Sequence, residues 1–543
     1  SSPSSKAKIE NLKFRRVLCS VGAEWHHLPL MRADSRPEHY VCIHGHFYQP
    51  PRENPWTGRI ERQPSAEPFH DWNERITAES YEPNTHAKIL GPAGEVAEYV
   101  NNFTRISFNF GPTLLRWMEG AAPSTYQAII EADRLSRRHF SGHGGAVAQA
   151  YHHSILPLAN HRDRVTEVRW GIRDFEHRFN RAPEGIWLAE TAVDLETLEI
   201  LADEGLRFTI LSPFQAHRVR PPGNPAWLDL PAGTIDPRRA YQIQLPSGRS
   251  FSLFFYDGEL ARGVAFGGLL SNGERLARLL IDTISGSPDA QLAQIATDGE
   301  SYGHHHHFGE MALAYALKEI ERSRQARLTV YGEFLERHPA RWHVEILENS
   351  SWSCAHGVER WRSDCGCHTG ALAGWNQSWR GPLRDSLNWL RDEAAKLYER
   401  EADGLLNDPW EARNDYVGLL LNRSQAAQAR FFSRWSARKR LSRDQKARIR
   451  HLLELQRYSL MMFTSCGWFF NDIAGIETVQ ILRYAGRLIE LARAIADTDL
   501  EPPFLSRLEA AQSNNPAEGN GRQIYLREIR RAHQEARRRA GAL

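Results

Sequence analysis

Gly185-Ile186-Trp187-Leu188-Ala189-Glu190-Thr191-Ala192, continuing through Leu195–Glu204 to Phe208–Leu211, is the stretch whose reading decides the fold. An apolar run ends in a carboxylate, an alternation of polar and apolar residues at helical spacing follows, and a second apolar run closes the unit. Strand, helix and strand in so short a span imply two parallel strands joined by a crossover helix. The same rhythm extends outward. Tyr40–Ile43, Ile106–Phe110, Ala146–Ala150 and Leu292–Ala296 read as further strands, with helical patterns such as Arg162–Phe179 between them. The repetition predicts an α/β chain, and a barrel is preferred over an open sheet. Tyr241–Leu245 and Phe251–Tyr256, on either side of Pro246-Ser247-Gly248-Arg249, read as a hairpin inserted in the barrel or decorating it.

Beyond about Arg380 the texture changes to long helical patterns over Pro382–Arg400, Pro409–Arg434, Arg443–Phe463 and Ile476–Ala496. The expected organisation is an N-terminal extension over 1–39 with no readable role, a barrel over 40–380, and a helical domain over 381–543 that contributes to the cleft. The last helical pattern, Arg522–Arg539, carries seven Arg against two Glu and reads as a solvated or docking helix.

Bulk properties narrow the class. The chain has 543 residues with 68 Lys and Arg against 66 Asp and Glu, so a net charge of +2 offers no field to draw nucleic acid or a membrane surface. A neutral substrate fits that balance. Aromatics reach 10% with 16 Trp, and flat ring faces suit the C–H faces of sugars as well as they suit a core. No apolar run approaches the roughly 20 residues that span a bilayer, and no signal segment opens the chain. Six Cys are too few for a disulfide framework. The expectation is a soluble, cytoplasmic, monomeric protein.

Chemistry concentrates in four segments, each placed where a strand ends, and catalytic residues of α/β barrels gather at the carboxyl ends of strands. The first is His44-Gly45-His46-Phe47-Tyr48-Gln49-Pro50-Pro51, whose His44 and His46 project to one side of extended chain. The second runs from Ala148 through Tyr151-His152-His153-Ser154-Ile155-Leu156 to Pro157. The third ends in Glu190, a costly residue at a strand end unless it is paired or used. The fourth is Ile295-Ala296-Thr297-Asp298-Gly299-Glu300-Ser301-Tyr302-Gly303-His304. Two carboxylates on separate strand ends are the minimum equipment for cleaving a glycosidic bond. One attacks the anomeric carbon and the other protonates the leaving oxygen, with carboxyl groups about 5–5.5 Å apart for retention and roughly 6.5–9.5 Å apart for inversion. Either carboxylate could instead bind a metal.

In this order the four segments resemble the motifs of glycoside hydrolase family 57, here reading His44–Pro50, His153–Pro157, Trp187–Glu190 and Asp298–Gly303. The run from His44 to Glu53 looks like an uncharacterised branch of that family with a helical C-terminal region. The resemblance implies a (β/α)7 barrel and a retaining enzyme acting on α-1,4-linked glucans, of the α-amylase, 4-α-glucanotransferase or branching-enzyme type. It further implies Glu190 as nucleophile, Asp298 as acid/base and no cofactor or required metal. His44, His46, His153 and Trp187 would line the subsite next to the scissile bond, joined by Gln49, and Glu300 would raise the proton affinity of Asp298 by like-charge repulsion. The family often has Pro before the Glu, where this chain has Ala189.

A fifth motif is expected in the block Ser351–His368, with Trp352 and Trp361 as sugar platforms and Asp364 on hydroxyls. Trp468 and Asp472, in the aromatic break Cys466–Asp472, would reach back over the cleft. Cys354, Cys365, Cys367 and His368 could ligate zinc, but their spacing is not a common structural pattern, so they read as buried free thiols. His304–His307 reads as a solvent-facing or supporting cluster. Two rival readings remain: a metal-dependent enzyme such as a polysaccharide deacetylase or α-mannosidase, with His44, His46 and Asp298 around zinc, and a non-catalytic glucan-binding protein.

Overall fold

The computed structural model describes residues 39–284 and 289–540, so the expected extension over 1–39 falls, except for His39, outside the described residues. Seven parallel strands form a closed ring: β1 (His39–Phe47), β2 (Ser107–Phe110), β3 (Ala148–Gln149), β4 (Gly185–Trp187), β5 (Phe208–Leu211), β6 (Ser250–Phe255) and β7 (Gln291–Asp298). β1 pairs in parallel with β2 and β7, β3 with β4, β4 with β5, and β5 with β6. A parallel bridge between Phe108 and Ala146 joins β2 to the β3 segment, and the Asp257 amide donates to the Gln294 carbonyl at 2.9 Å, closing β6 onto β7. This is the (β/α)7 barrel.

β1 is buried from Tyr40 to Phe47, as a parallel strand covered on both faces should be. The crossover helix His161–Phe179 starts at Asn160, whose side chain accepts the Asp163 amide, and ends at Asn180 in a left-handed conformation. It lies close against β3 because Gly171 faces the strand: a Cβ there would meet the Gln149 carbonyl oxygen at 2.0 Å.

The expected hairpin exists as Ala240–Gln244 paired antiparallel with Ser250–Phe255, but its return arm is itself β6 of the barrel. Parallel pairing with Phe208–Leu211 draws that arm into the ring. Only the outgoing arm decorates it, continuing the sheet outward to Trp342–Ile346 and Ala216–Arg220.

The C-terminal helices are Arg380–Ala402, Pro409–Asp415, Val417–Leu421, Gln425–Trp435, Arg443–Met461, Cys466–Phe469, Ile476–Ala496, Glu501–Leu508 and Gly521–Ala540. The pattern read as one helix over Pro409–Arg434 is three. Asn422 turns extended, with φ −134°, and the Ser424 side chain then caps a new helix on the Ala427 amide. These helices share a core of their own. That core also takes in Tyr151, Ile155, Ala189 and Ala192 from the carboxyl-end loops of the barrel and Trp170 from the helix His161–Phe179, so the helical layer sits over the mouth of the ring. Among the described residues no helix is long and apolar enough to cross a membrane.

Candidate active site

Strand register brings the site together. In the β1–β7 pairing His46 lies beside Asp298, and in the β1–β2 pairing it lies beside Asn109. Seven buried residues of β7 precede Asp298, which alone in the strand is reached by solvent. Glu190 follows β4 and is also partly exposed. Its backbone is left-handed, with φ 56° and ψ 22°, a conformation that costs a non-glycine residue about 1–2 kcal/mol. The Trp352 amide holds it there, donating to the Glu190 carbonyl at 3.0 Å.

The two carboxyl groups have different surroundings. Glu190 Oε2 accepts from Trp352 Nε1 at 3.0 Å and from Ser353 Oγ at 2.5 Å. Burial raises its proton affinity, and those two donors and the Arg360 charge oppose the rise. Asp298 is pushed well above the usual carboxyl range, first by desolvation within the protein walls, then by the charges of Glu300 and Glu190. Among the described residues no donor offsets that rise. Tyr256 follows β6 directly: its ring lies 6.3 Å from that of Trp352, and the charge of Asp298 helps push its hydroxyl up to about 12, after desolvation.

Glu300 is buried behind Asp298. Its Oε1 accepts from Tyr81 Oη at 2.5 Å and from the Tyr48 amide at 3.1 Å. Desolvation pushes it up to about 7, with Tyr81, Tyr48 and Gln49 as opposing donors. Gln49 Oε1 in turn accepts from Arg52 at 2.9 Å.

Beneath the carboxylates lies a stack of rings whose protonation is set by one amide. Asn109 Nδ2 donates to His46 Nδ1 at 2.8 Å and to Gln149 Oε1 at 2.7 Å, while its Oδ1 accepts from His44 Nε2 at 3.1 Å. His44 Nδ1 therefore accepts from the Ser107 hydroxyl at 2.9 Å. His46 carries its proton on Nε2 and donates to His153 Nε2 at 3.2 Å, and His153 Nδ1 donates to Ser465 Oγ at 2.7 Å. Burial keeps all three rings neutral, holding His44 and His153 down at about 3 and His46 well below its ordinary range. Trp187 stacks on His44 at 4.9 Å and on His46 at 5.1 Å, with no exposed surface, and His44 is equally enclosed. Both support the site from below. Ser465 comes from the helical layer, which orients His153 and so shapes the site.

Four expected site residues are placed elsewhere. Trp361 is fully buried, its Nε1 donating to the Ser465 carbonyl, and Trp468 is fully buried under Arg384. Neither ring has a face open to a sugar, because both fill the core of the helical layer. Asp364 is exposed and accepts the Gln377 amide, and Asp472 is a turn anchor that accepts from Ala474, Ser513 and Asn514. His304 pairs with Glu79, and His306 donates to the Ala265 carbonyl. His44, His46 and Asp298 do not form a metal-ligating cluster, since both nitrogens of His44 are engaged by Ser107 and Asn109. Asn109, Tyr256, Ser353 and Ser465 went unremarked in the sequence. For Asn109 and Tyr256 a signal existed, a polar group near the carboxyl end of an apolar strand; Ser353 lies within the expected fifth motif, and Ser465 has no signal.

A family model described as Glycosyl hydrolase family 57 matches residues 77–346, and one described as a domain of unknown function (DUF3536) matches residues 375–542. Alpha-amylase 1 of Dictyoglomus thermophilum is 24% identical over 107 residues, a match covering 20% of this chain and 15% of the amylase's own length. Among solved structures, an exo-type maltose-forming amylase from Pyrococcus sp. ST04 superposes with a TM-score of 0.65 at 14% identity, covering 90% of this chain and 88% of that one. A branching enzyme from Thermococcus kodakaraensis superposes with a TM-score of 0.52 at 15% identity, covering 91% and 94%. With its four motifs gathered at the mouth of a seven-stranded barrel, the chain belongs to glycosyl hydrolase family 57.

Proposed function

We propose that this protein is a retaining glycoside hydrolase or transglycosylase acting on α-1,4-linked glucans, with Glu190 as nucleophile and Asp298 as acid/base. The observation that carries the reading is the unequal treatment of the two carboxyl groups. Burial raises the proton affinity of both, but at Glu190 two hydrogen-bond donors and a nearby guanidinium oppose the rise, whereas every influence on Asp298 adds to it. That arrangement favours a carboxylate at Glu190 and a carboxylic acid at Asp298, the pairing the first step requires.

The Glu190 carboxylate attacks the anomeric carbon as Asp298 gives its proton to the departing glycosidic oxygen, leaving a glycosyl ester on Glu190. Asp298, now a carboxylate, takes a proton from water or from a sugar hydroxyl, whose oxygen displaces the ester. Water yields hydrolysis and a sugar hydroxyl yields transfer. The left-handed backbone at Glu190 aims the nucleophile, and the buried histidine relay anchored on Asn109 gives the site a fixed floor.

The test is incubation with maltooligosaccharides followed by product analysis and anomeric NMR. Shorter products, or a ladder of shorter and longer ones, with the α configuration kept, are expected. Glu190→Gln should lower turnover by at least about 10³-fold while binding persists. Sizeable residual activity in that variant, or an inverted product, would overturn the assignment.

A further inference from the structure

We infer that Cys354, His356, Cys365 and Cys367 form a zinc-binding site that staples the loop carrying Trp352 and Ser353. The Sγ atoms of Cys354 and Cys365 are 3.9 Å apart, those of Cys354 and Cys367 3.8 Å, and Cys367 Sγ lies 3.6 Å from His356 Nδ1. All four donor atoms lie within 4.8 Å of one another. A tetrahedral zinc ion with Zn–S bonds of about 2.3 Å and Zn–N bonds of about 2.0–2.1 Å has S···S edges of about 3.8 Å and S···N edges of about 3.6 Å. Three of the six edges stand at those values, and the other three lie within 4.8 Å.

The local backbone is shaped for the purpose. Gly366, with φ +80°, turns the chain between Cys365 and Cys367 so that both thiols face inward, and Gly357, with φ +83°, follows His356. Backbone amides of His356 and Arg360 are directed at the Cys354 sulfur, and that of Ala355 at the Cys367 sulfur, as amides are around metal-bound thiolates. His368, the imidazole nearest in sequence to the Cys pair, is exposed and accepts the Ala371 amide instead.

Charge supplies an independent observation. Arg360 and Arg380 are buried against this cluster at 4% and 0% exposure. Among the described ion pairs neither meets a carboxylate; they donate to the carbonyls of Ser353, Cys367, Phe469 and Phe470, and Arg380 reaches Cys365 Sγ at 4.0 Å. Glu190 is close enough to act on Arg360, and the thiols of this cluster are the negative groups that act on Arg380, so the pair favours negative charge here. Zinc(II) with three thiolates and a neutral imidazole carries a net charge of −1 at that spot. From Ser351 to Trp379 the only helical turn is Glu359–Trp361, and so long an irregular segment is held in one shape most simply by a cross-link. Ser353 and Trp352 immediately precede Cys354, so the metal would hold the two donors on Glu190. That consequence rests on the proposed function; the site itself does not.

The test is metal analysis of the full chain purified under reducing conditions without chelator. About one zinc per chain is expected, released by a thiol-directed mercurial and replaceable by cobalt(II) with thiolate-to-metal charge transfer and tetrahedral visible bands. Cys365→Ser with Cys367→Ser, and His356→Ala, should lose the metal, whereas His368→Ala and Cys42→Ser should keep it. Should the loss variants fail to fold, the cobalt spectrum of the unaltered chain carries the test. Wild-type protein without stoichiometric metal, cobalt bound without thiolate bands, or zinc retained in the double variant would each overturn the site, whatever the outcome at Glu190.

Discussion

Ser353 Oγ lies 2.5 Å from Glu190 Oε2, so a residue with no place in the four motifs holds the carboxylate that ends the third. The bond stabilises the charged form of Glu190. In Ser353→Ala that support is gone, the carboxyl titrates higher, and the fraction ionised at a given pH falls. The acidic limb of the kcat/KM–pH profile should move to higher pH, with kcat lowered by about 10-fold to 100-fold, as expected for loss of one hydrogen bond to a charged group. An unmoved limb would show that Ser353 does not tune Glu190.

Asp298→Asn would remove the proposed acid/base and leave the proposed nucleophile, Glu190. Activity on unactivated maltooligosaccharides should drop by about 10²-fold to 10⁴-fold. With an α-glucosyl fluoride, whose leaving group needs no proton, formation of the glycosyl-enzyme should survive and its breakdown should become slow. Mass spectrometry of the trapped adduct checks this, and equal losses on both substrates would contradict the assigned role.

Glu300→Gln separates charge from shape, because the amide oxygen can still accept from Tyr81 and Tyr48. Without a negative neighbour Asp298 gives up its proton more easily, so the basic limb of the profile should shift to lower pH. Stability should respond as well. The folded carboxyl titrates at about 7, above its ordinary value of 4.5. Between those values the folded chain holds a proton that the unfolded chain has lost. Stability is therefore full below pH 4.5 and declines as pH rises toward 7, by on the order of 3 kcal/mol. Urea unfolding at pH 5 and pH 7.5 should show a smaller difference in the variant.

Asn109 feeds two histidines at once. Asn109→Ala leaves His44 Nε2 and His46 Nδ1 without partners in the interior and should cost about 2–4 kcal/mol in urea unfolding. Asn109→Asp places an anion between the same rings and should raise the proton affinity of both. NMR titration of the ring protons reads that shift, and unchanged histidine behaviour would refute the relay.

Much of this was legible before any coordinates. Apolar runs followed by helical periods announced the barrel strands, and Glu190 and Asp298 stood out because an acid ending an apolar strand is expensive unless used. The hairpin was legible too, yet its return arm belongs to the barrel, since strand pairing joins residues 44 positions apart that local pattern cannot connect. The block Ser351–His368 was visible as unusual, but the roles within it were not. Trp352 faces Glu190 while Trp361, similar in kind and nine positions on, is buried in the helical core.

The sequence by itself determined the elements and the two acids, because hydrophobic periodicity and the cost of burying charge act over a few residues. Only the tertiary structure decided which neighbours those acids have. Ser353, Asn109, Tyr256 and Ser465 reach the site from four distant segments, and so does the choice of His356 over His368 beside the three thiols. Proton affinity and ligand geometry depend on distances of 3–4 Å between such segments, and those distances exist only once the chain has closed its ring and laid its helices over it.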